Sequence, residues 1–261
     1  MTILDEIFAH KRQEVDRNRQ ARPLVDVERA AHAAPPPLDF LAAVRCPPGA
    51  TPRLIAEVKG ASPSRGELVK DFNPLRLARL YQQNGAAAIS VLTDEKYFRG
   101  SLADLQQIAH LPSRPPLLRK DFICDPYQIY EGRAAEADAI LLITACLALP
   151  QLKQLHALVL ELGMTPLVEV HTRAELDLAL ECSPRLVGIN NRNLHDFSIT
   201  LETSLGLIPL IPAGVCRVAE SGIHSRADVD HLAAVGVDAV LVGEALVTAP
   251  DSAAAVRSLC Q

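Results

Sequence analysis

The segment Arg53-Leu54-Ile55-Ala56-Glu57-Val58-Lys59 is largely apolar up to its end, and so is Pro116-Leu117-Leu118-Arg119-Lys120. Both are short, bounded by Pro, Ser or Gly, and read as buried strands closed by a lysine. Similar runs occupy 87–92, 138–143, 165–170, 186–190, 215–220 and 238–242. Helical patterns separate them, for example over 74–84, 102–109, 126–135, 149–162, 173–181 and 226–235. Gly85, Gly163 and Gly236 fall where helix C-caps belong. Eight strands, each followed by a helix, predict a parallel sheet, and eight is the number that closes it into a (β/α)8 TIM barrel. The alternative, an open doubly wound sheet, lacks a G-x-G-x-x-G turn after the first strand.

The chain ahead of residue 53 does not follow this alternation. Thr2 and Asp5 fit a capping box, and Ile3, Leu4, Ile7, Phe8 and Val15 form an apolar helical stripe. A Pro-rich stretch (Pro35-Pro36-Pro37, then Pro47-Pro48 and Pro52) follows, with a short helical piece around 39–44. The expectation is one domain over 1–261, in which 1–52 is a helical appendage packed on the barrel with its later part near the active-site mouth.

Side chains alternate faces along a strand. Glu57 and Lys59 therefore share a face, as do Leu118 and Lys120, Leu167 and Glu169, and Gly188, Asn190 and Arg192. These polar residues stand at the C-terminal ends of their strands, where barrel enzymes build their sites. A charge at the end of a buried strand is costly unless it is paired or used. The chain has only 6 lysines among its 26 Lys and Arg, so two at strand ends are conspicuous. Lysine, unlike arginine, can give up its proton once its environment is tuned. Either lysine alone could equally be a solvated strand end.

Composition narrows the classes. At 261 residues and 49% hydrophobic content the chain can bury a large core, built with aliphatic side chains because aromatics make up 4% and Trp is absent. A net charge of −5 argues against nucleic acid as partner. The six cysteines are scattered and read as reduced thiols of a cytosolic protein. The N-terminus has no apolar signal core, and no run reaches the roughly 18 apolar residues of a membrane span.

The chemistry then concentrates at the barrel mouth. Glu57, Lys59, Lys120 and Glu169 are expected to form a ring of alternating charge, suited to acid–base work or, alternatively, to a structural ion-pair network. Glu220-Ser221-Gly222 after the seventh strand and Gly243-Glu244 after the eighth offer Gly turns at which backbone N–H groups can meet a phosphate; tight turns alone would also want small residues. Asn190 and Arg192 add donors, Arg being suited to a carboxylate. The histidines show no metal spacing, and His171, His195 and His224 read as ordinary loop residues. No G-x-S-x-G, phosphate loop or cofactor signal is present.

Taken together, these segments resemble the indole-3-glycerol phosphate synthase family. The resemblance is carried by Ile55-Ala56-Glu57-Val58-Lys59-Gly60-Ala61-Ser62-Pro63-Ser64-Arg65-Gly66, Ser90 to Phe98, Leu118-Arg119-Lys120-Asp121-Phe122, Gly188 to Leu194, and Ala219-Glu220-Ser221-Gly222-Ile223. It implies conversion of 1-(2-carboxyphenylamino)-1-deoxyribulose 5-phosphate into indole-3-glycerol phosphate, CO2 and water, without cofactor or metal. The catalytic set it implies is Lys120, Glu169, Lys59, Glu57, Asn190 and Ser221. Lys120 would be the acid of ring closure, Glu169 the base of dehydration, and Lys59 a carboxylate-binding group. The substrate-binding set is Ser62, Arg192, Glu220, Gly222 and Gly243, with Ser221 sharing the phosphate and Ser64 on the same loop as Ser62. Two departures stand out: Gly60, where the family commonly has a longer polar residue, and Glu244, where Ser would be more expected. A sister barrel such as phosphoribosylanthranilate isomerase would not call for two strand-end lysines. A phosphate-sensing barrel would need the Gly turns but not the charges. A small phosphorylated partner, no nucleic acid or membrane, and a monomer or weak homo-oligomer are expected.

Overall fold

A computed structural model describes residues 3–47, 49–62, 65–193 and 198–260. Among them eight parallel strands form a closed barrel: β1 (Arg53–Val58), β2 (Ala88–Leu92), β3 (Leu117–Lys120), β4 (Ala139–Ile143), β5 (Thr165–Val170), β6 (Leu186–Asn190), β7 (Cys216–Glu220) and β8 (Ala239–Val242). Each strand pairs with the next, and β1 closes the ring by pairing with β8, Arg53 opposite Ala239 and Ala56 opposite Val242. The strands start or stop within a residue of their expected bounds. Lys59 lies just past β1 rather than in it.

Strand alternation sorts the core into two shells. Ile55, Leu118, Leu141, Leu167 and Leu241 fill the barrel interior, while Leu54, Ala56, Val168, Val187 and Val240 face the surrounding helices. The helices begin where the side chains can hold them: Asn73, Ser101, Asp125, Thr172 and Ser225 each accept a backbone N–H of the turn they start. Gly85, Gly163 and Gly236 follow helix ends with φ of 101°, 76° and 89°, the left-handed cap expected of them.

The N-terminal chain runs from one end of the barrel to the other. Helix α1 (Ile3–Ala21) lies at the C-terminal end of the strands, and Phe8 meets Phe122 edge-on at 5.7 Å. Thr2 and the Ile3 side chain lie outside the described residues. A second helix, α2 (Leu24–Ala33), then packs against the helix following β3 (Pro126–Ala134). The sequence pattern gave no hint of α2, because only Val27 and Ala31 are buried along it, too thin a stripe to stand out. Helix α3 (Phe40–Val44) next inserts Phe40, Leu41 and Val44 into the interior shell. Leu38 N–H bonds Asp138, Arg45 bonds the Gly214 carbonyl and Cys46 N–H bonds Asp238, all just ahead of strand starts. The later part of the appendage therefore closes the N-terminal end of the barrel. It is α1, not the segment after it, that borders the mouth.

Lys11 fixes α1 in place. Its side chain is fully buried, with Nζ 2.9 Å from both Asp94 and Asp121 and 3.0 Å from Glu14. Asp121 also binds Arg119 at 3.0 Å and accepts a hydrogen bond from Thr93 at 2.6 Å. Burial opposes its ionisation, but Arg119 and Lys11 prevail and hold its carboxyl down to about 2. Removing one partner of a buried ion pair leaves the others uncompensated, at about 3–5 kcal/mol. Lys11→Met should lower unfolding stability by that order, read from urea denaturation at neutral pH. An unchanged midpoint would show that the pair does not hold the helix.

Candidate active site

Every residue singled out above as catalytic or substrate-binding lines one cavity at the C-terminal end of the barrel. Ser64, Leu194 and His195 lie outside the described residues. Glu57, Lys120, Glu169, Asn190 and Glu220 come from the last or second-last positions of β1, β3, β5, β6 and β7. Parallel pairing places these strand ends side by side around the mouth.

The charges do not form the single ring expected; they divide into two groups. Lys59 Nζ contacts Glu57 at 3.3 Å and lies 5.5 Å from the Phe98 ring centroid. Lys120 Nζ sits between two carboxylates, 3.2 Å from Glu169 and 3.3 Å from Glu220. Glu220 is thus part of the charged centre and not only a lining residue. Its side chain needs the bare backbone of Gly188, where an added Cβ would collide with the Glu220 carboxylate. Gly243 serves Glu57 in the same way, since a Cβ there would stand 2.5 Å from Glu57 Oε1.

Burial sets the protonation states apart. It opposes the charge of Lys120, but Glu169, Glu220 and Glu57 outweigh it and raise the lysine's pKa. Burial likewise opposes ionisation of Glu169, yet Lys120 and His171 lower its pKa below the ordinary carboxylate value. Glu220 goes the other way: burial and the neighbouring Glu169 push its pKa up to about 8, against the pull of Lys120. The surroundings therefore favour the ammonium at Lys120 and the carboxylate at Glu169, and bias Glu220 toward the neutral acid.

The cavity has two unlike ends. Leu4 and Ile7 of α1, Phe98, Phe122 and Ile143 make an apolar wall. Opposite them are the turns after β7 and β8, where Ser221 and Gly222 both have positive φ, 66° and 75°. A non-glycine residue held in that region is strained, and such positions gather at ligand sites. Asn191, which the sequence reading passed over, supports this turn: it is buried, donates to the Ser221 carbonyl at 3.1 Å and accepts Ser204 N–H at 3.0 Å. Ser62 lines the cavity with a buried hydroxyl that has no hydrogen-bond partner among the described residues. Asn190 Oδ1 accepts Arg192 N–H at 3.1 Å, fixing the loop that brings Arg192 to the cavity.

His171 is not an ordinary loop residue. Its side chain is 8% exposed and lies 3.4 Å from Glu169 and 3.0 Å from Glu175. The alternation that picked Glu169 continues two residues on to His171 and could have found it. His224, by contrast, is exposed at the rim.

The family model for indole-3-glycerol phosphate synthase matches residues 4–259. The chain belongs to the indole-3-glycerol phosphate synthase family. It is 53% identical to the synthase of that name from Roseiflexus castenholzii, over 99% of this chain and 98% of the relative. It is 49% identical to one from Dehalococcoides mccartyi strain CBDB1, over 98% and 99% respectively. Among solved structures, 3-hexulose-6-phosphate synthase from Salmonella typhimurium superposes with a TM-score of 0.65 at 14% identity, covering 80% of this chain and 97% of the other. KGPDC from Streptococcus mutans gives 0.61 at 13% identity, with 80% and 95% covered. These two likenesses speak to the barrel fold. The two departures from the family pattern each have a local partner. Gly60 leaves room for Phe72, whose ring would stand 2.8 Å from an added Cβ, and Glu244 forms an ion pair with Arg65.

The raised Glu220 pKa has a consequence for stability. Between the ordinary value of 4.5 and about 8, native Glu220 keeps a proton that the unfolded chain has lost. Its contribution to stability must then fall as pH rises through that window. Glu220→Gln removes this dependence, so the stability of the variant relative to the parent should increase from pH 5 to pH 8.5 in urea titrations. A pH-independent difference would mean that Glu220 is ionised throughout.

Proposed function

We propose that the chain closes an indole ring, turning 1-(2-carboxyphenylamino)-1-deoxyribulose 5-phosphate into indole-3-glycerol phosphate with release of CO2 and water. The observation that carries this reading is Lys120, held between Glu169 and Glu220 in a cavity that is also lined by apolar side chains and by the glycine turns after β7 and β8. The substrate has matching parts: an aryl ring at one end, a phosphate at the other, and a ketone between. Full-length relatives bearing the synthase name support the same reading.

The substrate's aryl ring lies against Leu4, Ile7, Phe98 and Phe122, and its carboxylate faces Lys59 and Arg192. The backbone at Ser221, Gly222 and Gly243 receives the phosphate, with Ser62 supplying a hydroxyl from the opposite loop. The aryl carbon bearing the carboxylate attacks the ketone, and Lys120 donates a proton to the ketone oxygen. Loss of CO2 returns the bonding pair to the ring. The resulting hydroxyl then leaves as water on a proton from Lys59, with Glu169 taking the proton from the adjacent carbon. Glu57 orients Lys59, Asn190 bonds the sugar hydroxyls, and Glu220 in its neutral form can resupply Lys120. We place the reaction in tryptophan biosynthesis in the cytosol, where six unpaired thiols are at home. No described helix is long and apolar enough to cross a membrane. Residues 1–52 act as an appendage of one barrel domain, which works as a monomer or weak homo-oligomer.

Product fluorescence with the purified chain and no added metal tests the reading directly; absence of turnover would overturn it. Lys120→Arg keeps the charge but gives up a usable proton, so turnover should fall by about 100-fold or more while the fold survives. Glu169→Gln should lose about 100-fold to 10,000-fold, with little change in binding of a reduced, unreactive analogue. More than about a tenth of normal turnover in Lys120→Arg would transfer the acid role to Lys59.

A further inference from the structure

Lys120 is nearly equidistant from Glu169 and Glu220, at 3.2 and 3.3 Å. Both carboxylates are almost wholly buried, with side chains 2% exposed. An ammonium placed so evenly does not by itself choose which neighbour carries the negative charge. The surroundings break the symmetry on one side only. Glu169 Oε1 faces His171 Nε2 at 3.4 Å, whereas Lys120 is the one cation within ion-pair distance of Glu220 among the described residues.

His171 is itself held by local structure. The residue after it, Thr172, caps the helix Arg173–Leu180, and its hydroxyl accepts Glu175 N–H. Glu175 reaches back: one oxygen accepts from Thr172 Oγ1 at 3.1 Å, and the other accepts His171 N–H at 2.8 Å and faces His171 Nδ1 at 3.0 Å. The helix start therefore fixes the ring and assigns Nδ1 the role of donor to Glu175. A neutral ring would then point the Nε2 lone pair at the Glu169 carboxylate, which is repulsive. An imidazolium donates to Glu175 and turns a positive edge toward Glu169, within ion-pair distance though without a formed hydrogen bond, so this geometry favours the charged form.

We propose that His171, clamped by Glu175, is the positioning residue that makes Glu169 rather than Glu220 the ionised base of this site. The inference rests on the ring-closing reading above and concerns a group outside the reacting atoms. The charged and titratable neighbours agree with it. Near the end of β5, just before it in the chain, stands Glu169; from the helix that follows comes Glu175, from β7 Glu220 and from β3 Lys120, while the Cys146 thiol beyond β4 is pushed up by burial, then Glu169 and Glu175, and stays neutral. Burial opposes the imidazolium, yet bonding to Glu175 and the charges of Glu169 and Glu175 raise the His171 pKa overall. The helix-start bonds give the clamp a structural use as well, so the test must read more than stability.

His171→Asn keeps a polar side chain but removes the cation. Without it the Glu169 pKa must rise, because a neighbouring positive charge favours the carboxylate. The acid limb of the kcat/KM profile should move up by about one pH unit. At pH 7 kcat should fall by about tenfold to a hundredfold, with KM little changed. Glu175→Gln keeps an amide oxygen that can accept from His171 N–H or Thr172 Oγ1, but loses the charge that holds the ring protonated. It should shift the same limb in the same direction by a smaller amount. A folded His171→Asn protein with an unshifted limb and normal kcat would overturn the proposal. Should His171→Asn fail to fold, the limb in Glu175→Gln decides alone, and an unshifted limb there overturns it too. An unmutated chain without product would instead sink the ring-closing reading.

Discussion

One buried ammonium sets the terms for the whole mouth of this barrel. Lys120 stands on an inward-facing position where water is scarce, and its charge is stable only because carboxylates from two other strands reach it. Those carboxylates repel each other, so full ionisation of both would leave the centre with an uncompensated negative charge. The conflict eases if one of them stays neutral: burial and Glu169 push the Glu220 pKa up to about 8, whereas Lys120 and His171 overcome the same burial at Glu169 and lower its pKa. A proton is thereby stored next to a lysine that can donate one, which is what acid catalysis in a dry pocket requires. Gly188 is the backbone side of the same bargain, since any side chain there would displace Glu220.

The N-terminal chain serves this centre from both ends. At the top, α1 lays Leu4 and Ile7 along the cavity and is fixed through Lys11 to Asp94 and Asp121, the residues that follow β2 and β3. At the bottom, α3 pushes Phe40, Leu41 and Val44 into the interior shell. The barrel core is thus sealed below by the segment whose first helix walls the cavity above.

The strand and helix alternation was plain in the sequence because both periodicities are local. So was the placement of Glu57, Lys120, Glu169 and Asn190, since alternation assigns each to the inner face and the strand ends assign each to the mouth. What alternation cannot give is the neighbour across the barrel. It put Lys120 opposite Glu169, whereas strand tilt and side-chain length bring them into contact and add Glu220. It made a ring of Glu57 and Lys59 with the other pair, although the two groups are separate. His171 was dismissed on the lack of metal spacing, a test that says nothing about a histidine serving a carboxylate. The Lys11 network was invisible for the same reason as Glu220: its partners lie about eighty and more residues away in the chain, and only the fold joins them.

Lys11 also shows that a buried lysine is not by itself a sign of chemistry. It and Lys120 both touch two carboxylates at the barrel mouth, and both have raised pKa values after burial has been overcome. The difference lies in what else surrounds them. Lys11 is fully enclosed, with a third carboxylate from Glu14, so its three donors are all engaged with anions and no ligand can approach. Lys120 keeps 14% of its side chain open to the cavity, and one of its two partners is a neutral acid. A proton leaving Lys11 would strand two buried negative charges, Asp94 and Asp121, beside the half-buried Glu14. A proton leaving Lys120 toward a ligand can be replaced from Glu220 without moving a heavy atom far. Under the proposed reaction, it is this opening to the cavity and the neighbouring acid that would suit Lys120, and not Lys11, to proton transfer.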